Sequence, residues 1–287
     1  MANVREIRSR INGVKSTRQI TKAMKMVSVS KLRKTQASMN AMRLFSDGCR
    51  QVMFDLLGSG TTFAHPLLSP RKQISHVTYV LVVGNRGLCG AYNSNLVRYL
   101  EKMLEHETHS TDVVVIGRWT SDALNRMPVS HTVADFGDAP TPEACNEVLE
   151  YLKQKYLSGQ TDRICVVYQH FVNALRQDPT SVQLLPAVLP EPDQKPGAAD
   201  YQFEPDQEQI VNQVVELYLS STMYQLLLEA KSGEHSARTT AMGAASDNTD
   251  ELIEKLSLEL NRARQGQITT EISEIAGGAL ALEQKKM

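Results

Sequence analysis

The sequence predicts an α/β central domain, Rossmann-like with a mostly parallel sheet, carried on a long antiparallel α-helical coiled coil formed by the N- and C-terminal helices. Three observations predict it. All 11 prolines of the 287-residue chain fall between Pro66 and Pro205, which leaves both ends free of proline. In those ends apolar residues recur at spacings of three and four. Between them, short β-branched runs alternate with amphipathic stretches. Proline inside a helix costs about 3 kcal/mol, so two long proline-free ends read as two long helices. Strand–helix alternation reads as a parallel sheet. The division expected is residues 1–57 for the first helix, 58–205 for the α/β domain and 206–287 for the last helix.

The first helix has Asn3 as its cap, with Glu6 three residues on, and "GSG" at residues 58–60 as its stop. Val4, Ile7, Ile11 and Val14 form one seam, and Met42, Phe45, Cys49, Val52 and Leu56 another. Such narrow stripes suit a coiled coil. In the middle region, residues 77–83, 112–117 and 163–171 are buried-strand runs. Residues 181–190, with their prolines, suit an edge strand. Helices fit at 93–106, 119–126 and 141–157. Residues 190–200 read as a polar loop. The last helix starts near Asp206, where "DQEQ" resembles a cap. Its seams are Ile253, Leu256, Leu260 and Ala263, then Ile268, Ile272, Ile275, Ala279 and Leu282, with a slip near Gly266. The stretch from Gly233 to Gly243 is its weakest part and a place to bend. Unbroken, the two helices would span roughly 80 and 120 Å, against about 50 Å for a compact globule of this length. They are expected to pair and project.

Charge is unevenly spread. Residues 1–57 hold 12 Lys/Arg against 3 Asp/Glu, and residues 205–287 hold 7 against 13, although the net charge is −1. Opposite charge favours association of the two ends. The stretch "ITKAMKMVSVSKLRK" (20–34) has five bases and no acid on a thin apolar side of Met, Val and Ala. Nucleic-acid binding would keep the chain basic beyond one helix. A membrane-surface helix would show bulky apolar residues. Small, flexible apolar side chains among lysines suit an acidic protein surface that repacks against several partners. No apolar run approaches the ~20 residues of a membrane span. Cys49, Cys89, Cys145 and Cys165 form no CxxC pair and read as free thiols in a reducing compartment.

"GNRGLCGAYN" (84–93) follows the first strand and opens a helix, where a dinucleotide fold places its phosphate loop. Its spacing, Gly84, Gly87, Gly90, is not GxGxxG, and no GK[ST] follows. A tight turn with Gly87 or Gly90 at positive φ is the favoured reading, and Cys89 is read as a small buried residue rather than a nucleophile. His65, His76, His106, His109 and His131 show no metal-ligand spacing. The paired carboxylates of "FEPDQE" suit a helix start. No catalytic residue, metal site or cofactor is expected.

Three stretches together carry a family resemblance covering essentially the whole chain: "ITKAMKMVSVSKLRK", "NRGLCGAYN" (85–93), and the run from Glu234 to Leu282 that opens "EHSARTTAMGAASDNTDELIEKL". The chain resembles the gamma-subunit family of rotary F-type ATP synthases. It departs from the family at Lys25, commonly an acid there, and at Ser28, commonly Ala. It lacks the regulatory cysteine insertion of chloroplast members. The start, with no transit peptide, suggests a bacterial chain.

The resemblance implies a non-catalytic central-stalk rotor that couples transmembrane ion flow to ATP synthesis in catalytic beta subunits. Its partners would be the alpha and beta subunits, the epsilon subunit and the membrane rotor (c) ring, with no nucleic acid and no membrane span of its own. It would work at the cytoplasmic face of the cell membrane. The residues implied to contact alpha and beta subunits are Met24, Lys25, Lys31 and Arg33 on the first helix, Arg264 and Gln265 as a polar catch, and Ala279, Leu280 and Leu282 at the rod tip. Two rival readings stand beside it: a nucleotide-binding α/β enzyme with a coiled-coil dimerisation arm, and a nucleic-acid-binding coiled coil.

Overall fold

The computed structural model describes residues 4–58, 65–133, 136–137, 139–188 and 206–284. The expected cap at Asn3, the end of the stop at Gly60 and the loop at 190–200 lie outside them. In order, the elements are α1 (Val4–Gly58), β1 (His76–Val82), α2 (Tyr92–His106), β2 (Ser110–Ile116), α3 (Asp122–Asn125), β3 (Val129–Val133), α4 (Pro142–Leu157), β4 (Arg163–Phe171), β5 (Gln177–Leu185) and α5 (Gln207–Gln284). They make two units. One is Ser28–Thr240; the other joins Met1–Val27 to Ala241–Met287.

The larger unit is built on a five-stranded sheet in the order β3-β2-β1-β4-β5. β1 runs parallel to β2 and β4, β2 runs parallel to β3, and β5 alone is antiparallel. Alternation along β1 sets the layers. Val80 and Val82 face a core shared with Leu149 and Leu152 of α4 and with Val215, Leu219 and Leu227 of α5. Val77, Tyr79, Leu81 and Val83 face Leu96, Val97 and Leu100 of α2. A strand buried on both faces reads as a continuous apolar run, which is why β1, β2 and β4 stand out in the sequence. β3, "VSHTV", does not, because its residues at the sheet edge are mostly exposed. β5 is an edge strand, as its prolines suggest, but lies at 177–185 rather than 181–190. The helix read at 119–126 shortens to the single turn of α3, capped by Ser121, whose Oγ accepts from Leu124 N–H.

At the N-terminal edge of the sheet, Asp112 accepts hydrogen bonds from Lys155, Ser130 and Thr78 and pairs with His76 Nε2 at 3.0 Å. Burial alone would raise its pKa; these partners outweigh burial and hold it at about 2. Glu107 nearby behaves alike. Burial is overcome by His109, Tyr79 and Arg163, and its pKa is also about 2. Both folded-state values lie below the unfolded ones. The stability they supply is therefore complete above about pH 4.5 and lost as pH falls towards 2. Asp112→Asn is expected to cost about 2 kcal/mol at pH 7 and to flatten the fall of the urea midpoint between pH 5 and 2. An unchanged acid limb would show that another group titrates there.

α1 and α5 pair antiparallel in each unit. In the smaller one, Arg18 Nη1 meets Asp250 Oδ1 at 2.6 Å. Seven residues further along α1, the Lys25 chain lies along Gly243, seven residues back along α5. Ile7 and Ile11 bury Leu256, with Val14, Leu260 and Ala263 packed around them. In the larger unit, Ser232 Oγ donates to Thr35 Oγ1 at 3.1 Å. The buried positions of α1 there are Ser28, Leu32, Thr35, Ser46, Cys49 and Met53. Their heptad spacing confirms a coiled-coil stripe, which shares Cys49 with the seam read from the sequence but is otherwise rotated; the Leu56 side chain lies outside those described. Phe45 and Val52 are exposed, and Ser46 and Met53 take their places. Small hydroxyl-bearing residues let the helices approach closely, whereas burying Phe45 would overpack the seam.

The α5 start agrees with its signal: Gln209 N–H donates to Asp206 Oδ1 at 3.1 Å. The Gly233–Gly243 stretch stays helical. Residues 230–236 are all buried, Gly233 included, and packing there overrides weak propensity.

Candidate functional site

The loop from Gly84 to Ala91 leaves β1 at its carboxyl end and delivers the chain into α2. Gly90 and Leu88 have φ of 59° and 63°, so the turn does use the left-handed region, at one glycine and one leucine. Gly84 N–H donates to Asn93 Oδ1 at 2.8 Å, and Asn93 Nδ2 reaches Cys89 Sγ at 3.5 Å. Cys89 is buried, and that burial pushes its thiol pKa up. It is a packed residue and holds no thiolate.

The crevice beside this loop is occupied by α5. Lys231 Nζ donates to Glu234 Oε2 at 2.9 Å, and Arg238 Nη2 donates to Glu234 Oε1 at 2.7 Å. Arg238 also reaches the carbonyls of Arg86 and Gly87 at 3.2 and 3.4 Å. The three side chains are 7%, 4% and 9% exposed. Burial opposes the Glu234 charge, but Lys231 and Arg238 outweigh it and hold the carboxyl below its usual range. Tyr92 Oη donates to Ala230 O at 2.7 Å, and Gln169 Nε2 donates to Tyr92 O at 3.1 Å. A Cβ at Gly233 would lie 3.3 Å from the Tyr92 ring, so a glycine there allows α5 to cross the start of α2 closely. Sequence reasoning missed this cluster. Its signal was an acid between two bases at positions 231, 234 and 238, two turns of one helix face.

The residues singled out on α1 do not form one cluster. Met24, half-buried, and Lys25, exposed, belong to the smaller unit; Lys31, half-buried, and Arg33, exposed, belong to the larger. Arg264 and Gln265 are both exposed on α5. The register set by Lys25 and Arg18 places Val4 opposite residue 264, so α5 continues to residue 284 beyond the described start of α1. Those twenty residues span about 30 Å. Every described side chain from Arg264 to Ala279 is exposed, including Ile268, Ile272 and Ile275. Among the described residues, the second seam expected on α5 therefore has no part of α1 opposite it. The side chains of Leu280 and Leu282 lie outside those described.

The family model described as ATP synthase matches residues 3–282. The ATP synthase gamma chain of Desulfitobacterium hafniense is 42% identical over 286 residues, covering 99% of this chain and all of that one. The chain belongs to the ATP synthase gamma-chain family. The gamma chain of Symbiobacterium thermophilum is likewise 42% identical, over 98% of this chain and 99% of its own length. Among solved structures, a chain of the Euglena gracilis mitochondrial ATP synthase OSCP/F1/c-ring assembly matches with a TM-score of 0.70 at 21% identity, over 99% of this chain and 96% of that one. A chain of the Tetrahymena thermophila central stalk and c-ring matches with 0.60 at 23%, over 79% and 99%. These two show a shared fold: a mostly parallel sheet with long helices at both ends. Among the described residues of this gamma-family chain, no helix is long and apolar enough to cross a membrane.

Proposed function

We propose that the chain is the central-stalk rotor of a bacterial F-type ATP synthase, a non-catalytic subunit that couples H⁺ or Na⁺ flow to ATP synthesis in neighbouring beta subunits. The observation that carries this is the unaccompanied end of α5. This end of α5 presents isoleucines at i, i+4 and i+7 to no partner among the described residues of its own chain. It suits insertion into a collar supplied by other subunits, with Ala279, Leu280 and Leu282 at the tip and Arg264 and Gln265 as the polar catch. Met24, Lys25, Lys31 and Arg33 would face acidic surfaces of the alpha and beta ring in turn. The functional division proposed is 1–57 and 206–287 for the rod and 58–205 for the domain, which would sit on the c ring with epsilon at the cytoplasmic face of the membrane, without nucleic acid.

The rival reading, a nucleotide enzyme using the 84–93 loop, is disfavoured by Glu234, whose carboxylate and cations fill the crevice beside it. The test is co-expression of the full chain with its alpha and beta chains. The complex is expected to hydrolyse ATP while the isolated chain neither hydrolyses nor binds it at micromolar concentration. Arg264→Ala with Gln265→Ala is expected to lower turnover of the complex, and Met24→Arg to weaken its coupling. Micromolar nucleotide binding by the isolated chain, with no assembly, would reverse the order of the two readings.

A further inference from the structure

We infer that the ligand crevice of this sheet is an oxyanion site whose occupant is the chain's own Glu234 carboxylate, so that removing that side chain leaves a pocket for a small free carboxylate such as formate or acetate. The inference rests on the larger unit alone and is independent of the rotor reading.

In open α/β sheets the ligand lies outside the carboxyl ends of the strands, where the strand order reverses. Here the order runs from β1 out to β2 and β3, then returns to the other side of β1 with β4. The reversal therefore falls between β1 and β4. Gly84, just past β1, and Gln169, near the end of β4, flank it. Glu234 reaches this place from α5. A Cβ added at Gly84 would sit 3.1 Å from the Glu234 carboxyl carbon and 3.3 Å from Asn93 Oδ1. Glycine at 84 thus gives the carboxylate room against the loop, as a loop glycine gives room to a bound phosphate.

The charges around it are those of an anion site. Lys231 and Arg238 are two buried cations, and among the described residues Glu234 is the carboxylate bonded to both. Arg238 also donates from Nε to the Gly87 carbonyl and from Nη2 to the Arg86 carbonyl, which ties the loop to the same helix. Buried guanidinium and ammonium groups require an anion, because an uncompensated buried charge is strongly destabilising. Burial raises the pKa of Cys89, on the loop, and of Tyr92, in the first turn of α2; at both, the Glu234 charge adds to that rise and Arg238 opposes it. The carboxylate is thus in electrostatic contact with both elements that would cradle a ligand. The crevice has the walls and cations of a ligand site, and its anion is covalently attached.

The test uses the full chain carrying Glu234→Ala, with thermal unfolding recorded in chloride, formate, acetate, inorganic phosphate and ATP at equal ionic strength. Formate and acetate are expected to raise its midpoint by about 3 °C at concentrations tenfold above their Kd. They are expected to leave wild type and Glu234→Gln, whose amide still fills the space, unmoved relative to chloride. If Glu234→Ala folds only in the presence of acetate, that too supports the site. If it folds in no buffer, Glu234→Asp decides, its retracted carboxylate leaving room for formate beside it or a weakened midpoint that formate does not restore. An equal shift of variant and wild type, or no shift, overturns the inference. A shift with ATP and none with acetate also overturns it, by assigning the crevice to a nucleotide.

Discussion

Arg238→Ala is expected to destabilise the larger unit by about 3 kcal/mol, because two loop carbonyls and one carboxylate oxygen lose a buried charged donor while Lys231 still compensates the Glu234 charge. The magnitude follows from what Arg238 holds. Its guanidinium neutralises half of the Glu234 carboxylate at 2.7 Å and satisfies two loop carbonyls, while being 9% exposed itself. Without it, Glu234 keeps only Lys231, and the Arg86 and Gly87 carbonyls lose a donor. Arg238→Lys should fall between, since an ammonium keeps the charge but lacks the planar fork. The chain's one tryptophan lies beside this region: the Trp119 backbone N–H donates to Gly84 O at 3.0 Å. Urea unfolding followed by Trp119 fluorescence is the measurement. The exposed pair of Arg176 with Asp178 provides the control. A midpoint change for Arg238→Ala no greater than for Arg176→Ala would show that the buried cluster is not what holds the loop to α5.

Such a cluster marks the limit of what the sequence reveals. The sheet was legible because β1, β2 and β4 are buried on both faces and so read as unbroken β-branched runs. The long helices were legible from the absence of proline and from Asp206 at the α5 start, whose side chain does cap Gln209. What failed was rotation and register. Phe45 and Val52 have the spacing of a seam about Cys49, yet so do Ser46 and Met53, each one residue further on. Periodicity cannot choose between them when the winning stripe uses serine and threonine. The Ile268–Ile275 stripe was equally periodic, but whether it meets α1 depends on where α1 starts opposite it. The Lys231–Glu234–Arg238 network needs residues 84–93 beside it before its charges acquire a purpose, and nothing local in the sequence supplies that neighbour.

The unaccompanied part of α5 gives the sharpest separation between stability and work. Ile268→Asp together with Ile272→Asp should leave the unfolding midpoint of the isolated chain nearly unchanged, because both side chains are exposed and a like-charge pair at i,i+4 costs only about 0.2–0.5 kcal/mol. Surface substitutions of that kind usually stay within about 0.5 kcal/mol. In the assembled enzyme the expectation reverses. If alpha and beta chains enclose this segment, two carboxylates must lose water against an apolar collar, and burying an unpaired charge costs several kcal/mol. Turnover or yield of the complex should then fall about tenfold or more, since each 1.4 kcal/mol is a factor of ten. Ile268→Leu with Ile272→Leu, which keeps the apolar surface, should retain most of the activity. The pair of readouts distinguishes a docking surface from a structural one. A variant that assembles and turns over like wild type would mean that the α5 end stands in water in the working complex, and the collar would have to be sought elsewhere on the chain. A variant that loses stability as an isolated chain would mean instead that the isoleucines are covered by the chain itself in solution, and the proposal that other subunits cover them would fall.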